Sequence, residues 1–105
     1  MKKDKTGGNL ENKLPQIVRC YGAGVFYAIV EKRIGQEAVL RKARRLWYWS
    51  GAASLSQLAM EGVKDPENCK FTCYVDREEV MQVLEVLDTT EAARKSIESV
   101  HVWSI

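Results

Sequence analysis

The stretch RKARRLWYWSGAASL, Arg41 to Leu55, decides how the chain is read, because it admits two backbone periods and three meanings: a nucleic-acid handle, a ligand cage, or a core strand with a charged outer face. Four basic residues run into three consecutive aromatics and then into small residues. Helical spacing would put Val39, Ala43, Leu46 and Trp47 on one face. A period of two fits Val39, Ala43, Trp47 and Trp49, interrupted by Arg41 and Arg45. The aromatic enrichment and the preceding hairpin signal, EKRIGQE around Gly35, favour a strand. On that strand Lys42, Arg44, Leu46 and Tyr48 share one face, while Ala43, Arg45, Trp47 and Trp49 share the other. Trp47 and Trp49 are therefore expected to anchor the core, and Arg44, Arg45 and Tyr48 to form an outward recognition surface. Truncating Trp47 to alanine should then destabilise the fold by roughly 3–5 kcal/mol. Charge reversal at Arg44 should leave the melting temperature unchanged.

Working outward, QIVRCYGAGVFYAIVE (Gln16 to Glu31) is rich in β-formers, with Gly22 and Gly24 marking a bulge or tight bend between two strand segments. Ser54 and Gln57 have the spacing of a capping box for a helix over SLSQLAMEG. Leu55, Leu58 and Ala59 form its apolar stripe and Gly62 its stop. KDPEN reads as a turn on Pro66 and Asn68. CKFTCYV alternates, with Cys69, Phe71, Cys73 and Val75 on one face. DREEVMQVLEVL admits either a helix capped by Asp76 and Glu79 or a strand after a short turn. Thr89 or Thr90 caps a last helix with Ala93 and Ile97 inward, and HVW closes the chain as an edge strand. The expected fold is α+β: a small bent antiparallel β-sheet or barrel with two short helices, formed by residues 15–105 after a disordered tail, 1–14.

The 105 residues suit one domain. Hydrophobic residues make up 46% and charged residues 29%, an ordinary globular composition. A net charge of +2 is too small for general polyanion binding, so only local clustering could support it. The sequence has neither an apolar run long enough to span a bilayer nor a signal peptide, so the expected location is cytoplasmic, where Cys20, Cys69 and Cys73 stay reduced.

Metal and disulfide chemistry are not expected. Residues four apart on a strand lie about 13 Å apart, whereas a disulfide needs Cα atoms within roughly 7 Å. Cys69 and Cys73 therefore read as small core hydrophobes. The sequence contains no phosphate loop, dinucleotide fingerprint or nucleophile elbow, and its single histidine, His101, sits near the C-terminus. Neither an enzyme nor a cofactor is expected. The candidate binding residues are Arg41, Arg44, Arg45, Tyr48, Ser50 and Gly51. Small residues in SGAAS would let a partner approach the backbone closely.

Arg19, Tyr21, Ala23, Gly24 and Val25, the run from Ala43 to Leu55, and Trp103 together carry a likeness to known sequences. The central run follows the pattern A-R-R-[IL]-[WY]-x-W-x-G-A-x-x-L. On these residues the chain resembles a family of small phage- and prophage-encoded proteins of unknown function. The resemblance implies an accessory product acting inside an infected bacterial cell, and it transfers no catalytic residue. Three functions are weighed. The first is non-enzymatic binding and modulation of a host bacterial protein, a defence component being one candidate. The second is nucleic-acid binding through the patch from Arg41 to Tyr48. The third is capture of a small anionic ligand such as a nucleotide, in a pocket or between subunits of a homo-oligomer.

Overall fold

The structure, a computed structural model, describes residues 10–105. The elements are β1 (Gln16–Cys20), β2 (Gly24–Ile34), β3 (Glu37–Tyr48), α1 (Leu55–Glu61), β4 (Lys70–Val80), β5 (Val83–Leu87) and α2 (Glu91–Ser99). The strands form one antiparallel sheet in the order β4-β3-β2-β1-β5. The fold is α+β, and of the two expected forms the sheet is the open one, not a closed barrel.

DREEVMQVLEVL resolves into strands at both ends and no helix: β4 runs to Val80, and β5 begins at Val83 on the opposite edge of the sheet. Its valine-rich period of two outweighs the capping signal. This linkage constrains the whole sheet. In a flat sheet the two edges would lie four strand spacings, about 19 Å, apart. Three residue steps reach only about 11 Å. The sheet must coil, and the tip of the β2–β3 hairpin curls round until the Gln36 carbonyl accepts the Val83 N–H at 2.9 Å. Register shifts in the β2–β3 and β3–β4 pairings, with Lys42 at φ +50°, give the strands their bends.

Coiling gives the sheet two covered faces. One packs Ile17, Tyr27, Leu46 and Phe71 against Leu58, Ala59 and Ile97 of the helices. The other folds Val18, Phe26, Leu40, Ala43, Val80 and Val83 onto one another. Ser54 Oγ accepts the Gln57 N–H, and Thr90 Oγ1 accepts that of Ala93, so each helix begins at a side-chain cap. The expected turn at Pro66 is a single 3-10 turn over Pro66–Asn68. The closing HVW makes only one bridge, parallel, between Val102 and Phe71. Of the stretch expected as a tail, residues 1–9 lie outside the described residues. Leu10–Asn12 forms one 3-10 turn, and Lys13 Nζ donates to the Val30 and Glu31 carbonyls.

Cys20, Cys69 and Tyr27 are buried, and Cys73 is exposed, correcting its placement beside Phe71 in the core. Burial chiefly pushes the Cys20 and Cys69 thiols and the Tyr27 phenol up, and a hydrogen bond to Glu98 adds to the effect at Tyr27. The native state thus holds these protons more tightly than the unfolded chain does. Their contribution is full below the unfolded values, about 8.5 for cysteine and about 10 for tyrosine, and is lost as pH rises through the folded ones. Thermal melts across alkaline pH should show the melting temperature falling from about pH 9 upward. A flat profile to pH 11 would contradict the burial of these three groups.

Candidate functional site

The six residues expected to form one binding surface do not come together. Arg44 lies inside, 1% exposed, which corrects its placement on an outer recognition face. Its Nε donates to the Thr72 carbonyl at 2.8 Å, and its two terminal nitrogens donate to Ile97 at 2.9 Å and Val100 at 2.6 Å. The guanidinium also lies over the Phe71 and Tyr74 rings, at 5.4 and 5.1 Å from their centroids. Ile97 and the C-cap residue Val100 lie at the C-terminal end of α2, where the helix dipole is negative and, among the described residues, the Ile97 carbonyl otherwise accepts only the long Val100 N–H bond of 3.3 Å. Burying a cation is tolerable there because each of its three nitrogens donates to a carbonyl and its face rests on two aromatic rings.

The other basic residues are also engaged. Arg41 Nε sits 2.6 Å from Glu31, whose carboxyl it holds below the usual range through their hydrogen bond, and Asp76 lies 3.8 Å away. Arg45 is on the opposite face of β3 from Arg44, over the Phe26 ring at 4.7 Å and 3.2 Å from Glu78.

Ser50 and Gly51 serve the fold. Ser50 Oγ bonds Asp65 at 3.1 Å, and the Gly51 carbonyl accepts the Lys64 N–H at 3.1 Å. Gly51 has φ +93°, and a Cβ there would come within 2.5 Å of the Lys64 nitrogen. The segment that approaches this small-residue backbone so closely is the chain's own turn.

The side chains left outside are aromatic. Trp47 is 64% exposed, correcting its expected role as a core anchor, and Tyr48 is 52% exposed. Trp49 does pack against the helix-side core as expected. Trp47 stacks on Trp103 with ring centroids 6.3 Å apart and planes 10° from parallel. Lys70 Nζ lies 5.6 Å from the Trp103 ring, and Tyr48 pairs with Lys70 across the strands. Trp103, 41% exposed, reaches this position because its N–H donates to the Phe71 carbonyl at 2.8 Å. The result is a surface platform of two near-parallel indoles flanked by the Lys70 ammonium. No local signal marks it: Trp47 lies within the run Leu46 to Trp49, and Trp103 follows Val102 in the closing segment.

Two clefts lie elsewhere, of about 210 Å³ beside Ile34, Val80 and Met81, and of about 600 Å³ beside Leu14, Arg33 and Asp88. Neither is lined by any of the six expected residues. Among the described residues no group of three His, Cys, Asp or Glu side chains converges to hold a metal, and no helix is long and apolar enough to cross a membrane.

The two reversed placements invert the expected mutational costs. Trp47→Ala should shift unfolding free energy by no more than about 0.5 kcal/mol, the range of surface substitutions. Arg44→Met, which removes the side-chain donor from the Thr72, Ile97 and Val100 carbonyls, should cost about 1–3 kcal/mol for each carbonyl left without another partner. Urea unfolding of both variants checks this, and the opposite ranking would restore the sequence-based placement.

No curated protein and no solved structure matches the chain. A family model matches residues 13–97, a span that includes all five strands, Arg44 and Trp47, and ends before Trp103. By that match the chain belongs to the family described as a domain of unknown function, DUF6948.

Proposed function

We propose that the protein is a non-enzymatic binding module that captures a partner protein on the Trp47–Trp103 platform. The observation that carries this reading is the exposure of two stacked tryptophans. Large rigid aromatics held outside the core supply anchoring area at little entropic cost, and Trp and Tyr dominate interface hot spots. Lys70 favours a partner with carboxylates at the rim of its contact. In the setting implied by the resemblance to phage-encoded proteins, the partner is a protein of the infected bacterial host. A defence component is the candidate class, and the cytoplasm is the place of action.

Nucleic-acid binding receives less support. Phosphate neutralisation needs accessible cations, but Arg44 is buried, Arg41 faces Glu31 and Arg45 faces Glu78. For a small anionic ligand, the larger cleft offers Lys13 and Arg33, but Lys13 Nζ already donates to the Val30 and Glu31 carbonyls and Asp88 lies in the same lining.

The test is affinity capture from the bacterial host, followed by calorimetry with the identified partner. Trp47→Ala and Trp103→Ala should each weaken binding by at least about 2 kcal/mol with unchanged melting temperature. The proposed affinity should respond weakly to salt. Steeply salt-dependent binding to DNA, indifferent to both tryptophans, would overturn the proposal.

A further inference from the structure

Trp103 is carried by a tail with few fastenings. Between Val100, where α2 has ended, and the platform, the tail makes one bridge, Val102 to Phe71, and one main-chain bond, Trp103 N–H to the Phe71 carbonyl. His101, Val102 and Trp103 are all exposed, so these contacts compete with water. The buried fastening lies immediately before them, where the Arg44 guanidinium holds the Val100 carbonyl at 2.6 Å. That same guanidinium lies over the ring of Phe71, the residue that receives the tail. It therefore touches both sides of the junction: the buried carbonyl that precedes the tail and the strand residue against which the tail docks.

We infer that Arg44 is a positioning residue that assembles the platform from within. By tying the end of α2 to β4, it delivers Trp103 to Trp47. Neither indole touches Arg44, and Arg44 contributes no surface of its own. Its consequence for partner affinity rests on the proposed function, whereas the assembly step stands independently of it.

Arg44→Lys tests the assembly. Lysine keeps the charge but offers a compact ammonium where three carbonyls in different directions require a planar fork. Stacked indoles give a coupled pair of circular-dichroism bands, and the Trp103 amide gives an exchange rate. In Arg44→Lys the coupled bands should vanish and the Trp103 amide should exchange about ten-fold faster or more, while amides of β2 keep their protection. Native bands and native Trp103 protection in a folded Arg44→Lys would overturn the inference.

Should that variant fail to fold, the reciprocal measurement decides, since coupling acts in both directions. Trp103→Ala, which removes only a surface ring, should speed exchange of the Arg44 Nε–H by at least about two-fold. An unchanged rate would overturn the inference. Loss of the bands without loss of partner affinity would leave the inference intact and remove the proposed function instead.

Discussion

One guanidinium joins most of this molecule. Arg44 projects from β3, bonds a carbonyl of β4 and two carbonyls at the end of α2, and lies over two aromatic rings of β4. Among the described residues no carboxylate lies within ion-pair distance of it, so its charge is balanced by dipoles. The desolvation of a cation is large, and three short donations at a helix C-terminus are the kind of compensation that offsets it. Two difficulties answer each other here. A helix end has carbonyls without partners, and a buried arginine has donors without acceptors. Tyr27, bonded to Glu98 of α2, adds a second polar tie between sheet and helix nearby.

The other constraint is topological. Joining opposite edge strands through Met81 and Gln82 forces the sheet to coil, and coiling creates a second core without a second layer of helices. With both faces covered along the middle of β3, Arg44 and Arg45 point to opposite faces and cannot form one patch. Beyond Leu46 the second core has run out, so Trp47 emerges into solvent although it shares a side with buried Ala43. The platform sits where the tail meets this uncovered corner. A binding surface at such a place needs no cleft, which agrees with the shallow, mixed character of the two clefts elsewhere.

Local signals in the sequence were strong where the physics is local. Clean alternation marked the start of β4 and β-former composition marked β1 and β2, Ser54 and the pair Thr89 and Thr90 marked the helix starts, and Gly35 marked the long hairpin. What could not be read was which face of β3 would be covered. A polar-outside rule placed Arg44 with Tyr48 in solvent, although Leu46, buried between them, pointed the other way. No local pattern states that the C-terminal end of α2, more than fifty residues later, will lie over Arg44. Likewise the pairing of Trp47 with Trp103 depends on the tail's route, and the bend at Lys42 depends on the coil. Ser50 and Gly51 were expected to let a partner approach the backbone, and the close approach at Gly51 is made by the chain's own Lys64.

The central claim is that Arg44 is an interior connector and not a surface cation. Its most direct test is nuclear magnetic resonance detection of scalar coupling across hydrogen bonds in isotope-labelled protein. Correlations are expected from the Arg44 side-chain N–H groups to the carbonyl carbons of Thr72, Ile97 and Val100, with slow solvent exchange of its Nε–H at neutral pH. An Arg44 Nε–H that exchanges as fast as those of the surface arginines, with no such correlation, would contradict it.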